Sequence, residues 1–263
     1  MSFSVNTLNH LNRSHQAMNS SMQRIASGSK YSSAADNSAA YSILANMYSN
    51  IGGITQANTN TQNANAMLAT AAGGVDSTVQ ALGSLQESLI KAANGTNSES
   101  DLQAISKQVS QTIDQINENA SIQYNGKNLL DGSQSLTVAG DHGYTNVGIG
   151  NMTAQGLGLV DENGKSLVDL SSLDSALETV SNAFNKALDQ ATSLGAAQQG
   201  LNYASANYTV EATSMLESAS TMGDSNIAEQ MTKFSSEKTM NQLALYATKL
   251  NMHNNAAVLS LLQ

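Results

Sequence analysis

VNTLNHLNRSHQAMNSSMQRIAS (5–27) and LALYATKLNMHNNAAVLSL (243–261) decide how the chain is read. In the first, Val5, Leu8, Leu11, Met18, Met22 and Ile25 recur at steps of three, four or seven, and His15 fills the seven-residue gap. In the second, Leu243, Ala247, Leu250, Ala257 and Leu261 repeat the pattern, with Asn254 in the skipped slot. Steps of three and four place residues on one helical stripe. Near-regular alternation narrows that stripe to a seam that calls for a second helix. Each end therefore reads as built to pair with a helix of its own chain or of a neighbour, which points to assembly rather than catalysis.

Composition agrees. The 263 residues include no proline, where ordinary usage of about 5% gives roughly a dozen. Proline breaks helix interiors, so its absence permits very long helices. With no tryptophan, 4% aromatics and 12% charged residues, a large globular core is not expected, and small and amide side chains suit closely packed helix interfaces. Sustained apolar periodicity excludes low-complexity disorder. The absence of cysteine excludes disulfides and thiolate metal sites.

The N-terminus has no basic stretch followed by an apolar run, and no run of about 18 apolar residues occurs. The reading is a chain exported without a cleaved signal and without a membrane span. Of the net charge of −9, residues 1–50 contribute +2 and residues 225–263 contribute +1, so the middle carries −12. An acidic surface disfavours nucleic acid, and nearly neutral ends can be packed away from water at lower cost.

Residues 3–27 are expected to be helical, broken after Gly28 by GSKYSSAADNSAA (28–40). A long helix resumes near Tyr41 with the seam Met47, Ile51, Ile54, Asn58, Thr61, Asn65, Leu68, Ala72, Val75, Val79, Leu82, whose polar slots can fix register. Gly52–Gly53 and Gly73–Gly74 read as soft points in it. Ser98 or Ser100 caps a third helix with the stripe Leu102, Ile105, Val109, Ile113, Ile116. Asn125–Gly126 and Asp131–Gly132 are turns, and residues 134–152 read as one hairpin closed by DHGY (141–144). The return helix carries Leu170, Leu173, Leu177, Val180, Phe184, Leu188, Ala191 and Leu194, and continues to Met222 before a break at MGDSN (222–226). The fold class expected is mainly α: a long antiparallel coiled-coil rod, a small central β-hairpin region at about 127–170, and both termini paired at one end.

The spaced segments RIASGSKYSSAADNSAA (24–40), ANGTNSESDL (93–102), YNGKNLLDG (124–132), DSNIAEQMTKFSSEK (224–238) and AAVLSLLQ (256–263) resemble, in order, segments of bacterial flagellin, the subunit of the flagellar filament. Only the hairpin region separates the two halves, as in a short form without large variable outer domains. The resemblance implies an inner coiled coil from residues 1–42 and 225–263, an outer helical bundle from 43–224, and self-assembly into an extracellular tube. It implies a flagellar type III export apparatus, an export chaperone, and cap and hook-junction proteins as partners, and no cofactor. The chain departs from the family at Asn37, where a second acidic residue is frequent, at Lys30, where arginine is frequent, and in HNNAAVLSLL (253–262), which lacks the family's proline.

One partner is expected to be weak. Flagellins that activate the Toll-like flagellin receptor resemble one another just before ANGTNS. There, Ser84 and Gln86 stand in place of arginines, Ser88 in place of a leucine, and only Glu87 is retained. The alternatives to a filament subunit are a hook–filament junction protein and a filament protein acting chiefly as a host-receptor ligand or adhesin. An enzyme is disfavoured. His10, His15, His142 and His253 show no metal-ligand spacing, the acidic pairs sit at a turn and a cap, and GLGL (156–159) lacks the lysine of a phosphate loop.

Overall fold

The computed structural model describes residues 2–140 and 143–261. Asp141 and His142, in the expected hairpin turn, lie outside the described residues, as do the side chains of Val5 and Leu261. The elements are α1 (Ser2–Ser27), α2 (Ser38–Ala92), α3 (Glu99–Ala120), β1 (Gln123–Tyr124), β2 (Lys127–Asn128), β3 (Ser135–Gly140), β4 (Gly143–Gly148), α4 (Ala154–Leu157), α5 (Leu173–Gly223) and α6 (Ile227–Leu261). The protein is mainly helical, with two small antiparallel β pairs. Two compact units form, one from Met1–Gly52 with Thr213–Gln263, the other from Gly53–Ala212. α2 and α5 contribute residues to both.

The hydrophobic core lies in the unit 53–212. The α2 stripe is buried at Ile54, Thr61, Leu68, Val75 and Leu82 and half-buried at Met47, Ile51, Asn58, Asn65, Ala72 and Val79. Each fully buried leucine adds about 1.5–3 kcal/mol of burial. The polar slots are satisfied within the pair. Ser205 Oγ donates to Asn58 Oδ1 (2.6 Å), Asn58 Nδ2 donates to Thr209 Oγ1 (3.3 Å), and Asn65 Nδ2 donates to Asn202 Oδ1 (2.7 Å). These pairs run in opposite chain directions, so α2 and α5 are antiparallel, and they allow one register. On α5 the buried face is Ala176, Val180, Ala183, Ala187, Leu194 and Leu201, while Leu188, expected on that stripe, is 46% exposed. Alanine lets a helix approach its neighbours closely, so the small residues take the inside.

Ser98 caps α3 in a reciprocal capping box with Asp101, and Val109, Ile113 and Ile116 face the core. The Ser98 hydroxyl and N–H hold the Asp101 carboxyl below the usual carboxylate range. Asn125 (φ 50°) and Gly126 (φ 75°) form the two-residue turn that pairs Tyr124 with Lys127, a conformation that asparagine and glycine tolerate best. The hairpin expected over 134–152 is β3–β4, paired from Ser135–Gly148 to Gly140–Gly143, with Val138 and Val147 turned inward.

α2 continues unbroken through both glycine pairs. At Gly74 the reason is packing: an added Cβ would meet Leu130 Cδ1 at 2.6 Å, Ile122 Cδ1 at 2.8 Å and the Asn119 carbonyl at 3.3 Å. The loop after α3 lies directly on the helix backbone there, whereas Gly73 faces open space. In denaturant unfolding, Gly73→Ala is expected to raise stability by about 0.5–1 kcal/mol through helix propensity. Gly74→Val is expected to lower it by about 1–3 kcal/mol through overpacking. Equal effects at both positions would contradict the close approach.

Candidate assembly surface

The helix breaks at 28–37 and 224–226 are stitched together by backbone. Ser225 N–H donates to the Gly28 carbonyl (2.8 Å), Lys30 N–H donates to the Gly223 carbonyl (2.6 Å), and Ser29 bridges Asp224. Lys30 Nζ adds a bond to the Thr221 carbonyl (3.2 Å). Asp36 closes the first break by accepting from Ser32 N–H (2.9 Å), Ser33 N–H (3.0 Å) and Ser32 Oγ (3.1 Å). The Ser33 N–H and the Ser32 hydroxyl hold its carboxyl below the usual range. Asn37 caps α2 through Oδ1 to Ala40 N–H (3.1 Å), and Asn226 caps α6 through Oδ1 to Glu229 N–H (3.2 Å).

From these stitches α1 and α6 run antiparallel along each other, and Ser14 Oγ donates to the Glu237 carbonyl at 2.9 Å. The face that α1 turns to α6 is Leu11, Ser14, Met18, Ser21 and Ile25, with both serines buried. The answering face of α6 is Gln230, Phe234, Glu237, Asn241, Ala244, Thr248 and Asn251. Both follow the three–four alternation of a coiled coil, but the buried members are largely polar. Gln230 Oε1 and Asn241 Nδ2 are buried with no hydrogen-bond partner.

The described leucines of α6, Leu243, Leu245 and Leu250, point elsewhere. Leu243 is 58% exposed and Leu250 47%, and Ala257 lies on the same seven-residue column. Ala247 is half-buried at the flank of the pair. On α1, Leu8 (53%) and Met22 (49%) form an exposed column with His15, beside the inward column of Leu11, Met18 and Ile25. His15 is thus on the outer face, and Ser14 takes the inner slot. Fourteen of the twenty large apolar residues exposed among the described residues belong to the smaller unit, 1–52 with 213–263. A solvated surface of that kind marks an interaction surface.

Comparison with known proteins decides the family. The model for the bacterial flagellin N-terminal helical region matches residues 2–135, and that for the bacterial flagellin C-terminal helical region matches residues 177–262. The chain belongs to the bacterial flagellin family. It is 28% identical to flagellin FlaB1 of Treponema pallidum (strain Nichols), over 91% of this chain and 89% of that protein. It is 27% identical to the flagellin of Bacillus subtilis (strain 168), over 90% of each. In fold it is similar to a putative flagellar hook-associated protein from Vibrio parahaemolyticus, with TM-score 0.60 and 18% identity over 71% of this chain and 99% of that one. It is also similar to Bacillus cereus flagellin, with TM-score 0.50 and 21% identity over 57% and 88%.

Flagellins are a structural protein family, and this flagellin is a filament subunit. No described helix is long and apolar enough to cross a membrane. Of the four positions expected to alter receptor recognition, Ser84 and Glu87 are exposed and Gln86 is half-buried. Ser88 is corrected: it is 3% exposed, its hydroxyl donates to the Ser84 carbonyl (2.9 Å), and it presents nothing to a partner of the free chain.

Replacing the unpartnered seam amides by apolar residues is expected to strengthen the α1–α6 pair. Asn241→Leu should gain about 1–3 kcal/mol by removing an unsatisfied buried group, read as slower hydrogen exchange across α1 and α6 of the monomer. Faster exchange would mean the amide is needed where it stands.

Proposed function

We propose that this flagellin polymerises by burying the outer faces of α1 and α6 against other copies of itself. Leu8, Met22, Leu243 and Leu250 are the principal contacts, and Val5, Leu11, Met18, Ile25, Ala247, Ala257 and Leu261 complete the filament core. The carrying observation is the inverted polarity of α6: amides toward its own chain, leucines toward water. On this reading residues 1–42 and 225–263 form the inner domain and 43–224 the outer one. The filament stands outside the cell, and the subunit reaches it through a flagellar type III export apparatus with its chaperone and the cap and hook-junction proteins.

Leu250→Asp places a carboxylate where the free chain is still solvated, so the monomer should fold normally. In a dry interface the same carboxylate costs several kcal/mol, so growth from seeds should stop. Asn254→Asp, at the exposed polar slot of the same seam, exchanges an amide for a carboxylate and should slow growth less. Electron microscopy of seeded reactions reads both, and equal yield from the two variants would remove the interface. A hook–filament junction role, suggested by the fold likeness to the Vibrio parahaemolyticus protein, predicts that growth ends after a short segment instead of continuing.

For host recognition, the exposed Ser84 and half-buried Gln86 support a weakened Toll-like receptor contact. An interface arginine contributes about 2 kcal/mol or more when it is a hot spot. The Ser84→Arg/Gln86→Arg double variant is therefore expected to signal at least about tenfold more strongly in a cell reporter assay. Full potency of the natural chain, unchanged by the arginines, would refute it.

A further inference from the structure

The chain has neither cysteine nor tryptophan, so a two-electron oxidant meets no thiol. Its eleven methionines are the readiest reductants. Their placement is uneven. Met22 of α1 is 49% exposed, and Met231, Met240 and Met252 of α6 are 58%, 58% and 68% exposed. Met152, in the core of the unit 53–212, is 4% exposed. On α6 the exposed thioethers flank the polar seam on both sides. Met231, Leu245 and Met252 share one column at multiples of seven residues. Met240 and Ala247 share the column on the opposite flank, next to Leu243 and Leu250. Each outward face of α6 thus carries sulfur beside its aliphatic residues.

We propose that Met22, Met231, Met240 and Met252 are an oxidisable set through which hydroperoxides reversibly switch off assembly; this rests on the filament reading above. In each step the sulfur lone pair attacks one peroxide oxygen and the O–O bond breaks. Sulfur loses two electrons and keeps that oxygen as the sulfoxide. The proton on it passes to the departing oxygen, which leaves as water or an alcohol. The product is polar and accepts hydrogen bonds, whereas the thioether it replaces is apolar. On the free monomer the sulfoxide is solvated and costs little. In an interface lined by leucine and alanine it loses its water without gaining a donor, so subunit addition is penalised. In a formed filament the same sulfurs are covered, so oxidation acts on monomer and spares polymer. Methionine sulfoxide reductases, which return electrons from a thiol, reverse the change.

The test uses the full chain. Monomer is treated with hydrogen peroxide, mapped by peptide mass spectrometry and added to filament seeds, beside an untreated arm and an arm re-reduced with both methionine sulfoxide reductases and a thiol. Oxidation is expected at the four named residues well before Met152. The critical concentration for growth is expected to rise at least about tenfold, equivalent to about 1.4 kcal/mol, and to return after reduction. Preformed filaments are expected to gain oxygen more slowly at the same four positions. A quadruple variant, Met22→Leu/Met231→Leu/Met240→Leu/Met252→Leu, should grow with or without peroxide. Oxidised monomer that grows at the untreated rate, or growth lost in treated chain and not restored by reduction, would overturn the proposal. An untreated chain that extends no seeds would remove the filament reading, and this proposal with it.

Discussion

The polar seam between α1 and α6 is the constraint on which the rest depends. Two helices usually pair by burying their apolar stripes, and here the fully buried positions between them are Ser14, Ser21, Gln230 and Asn241, while Leu11, Met18, Ile25 and Phe234 are half-buried. Serine and alanine let the backbones approach, and the Ser14–Glu237 hydrogen bond fixes the register. Its large apolar members keep part of their surface in water, while two amide atoms lose water without a replacement partner. Fixing the backbone of so many residues costs about 1–2 kcal/mol each. On the proposed reading, the leucines that this pair leaves exposed are taken up by other copies.

The unit 53–212 has the opposite economy. Its core gathers α2, α3, α5 and the two β pairs around leucine, isoleucine and valine, and its polar slots are matched side chain to side chain. The stitched breaks at 28–37 and 224–226 and the caps at Asn37 and Asn226 set where the terminal helices start. Asn37 caps α2 because its amide oxygen accepts the Ala40 N–H, as a carboxylate at that position could. On the proposed reading, one part of the subunit folds for itself and the other for the polymer.

Much of this was legible in sequence, and the misses share a cause. The α2 stripe, the Ser98 cap, the Asn125–Gly126 turn and the hairpin follow from periodicity and turn chemistry, which are local. On α1 periodicity puts Leu8, His15 and Met22 on one seam with Leu11, Met18 and Ile25, whereas the structure buries Ser14 and Ser21. On α5 periodicity favours Leu188, which is exposed, over Ala183 and Ala187, which are buried. Apolar periodicity finds the greasiest face, and that face need not be the intrachain one. The seven-residue repeat of Ser14 and Ser21 was the available signal. Gly74 and Ser88 could not be read at all, because close approach and burial there depend on loop 122–130 and on packing distant in sequence.

The most direct test is a map of the assembled filament at side-chain resolution. The account predicts that Leu8, Leu243 and Leu250 are covered by neighbouring copies while α1 keeps its place along Gln230 and Asn241 of the same chain. A map in which Leu243 and Leu250 face solvent, or in which they turn inward onto their own α1, would contradict it.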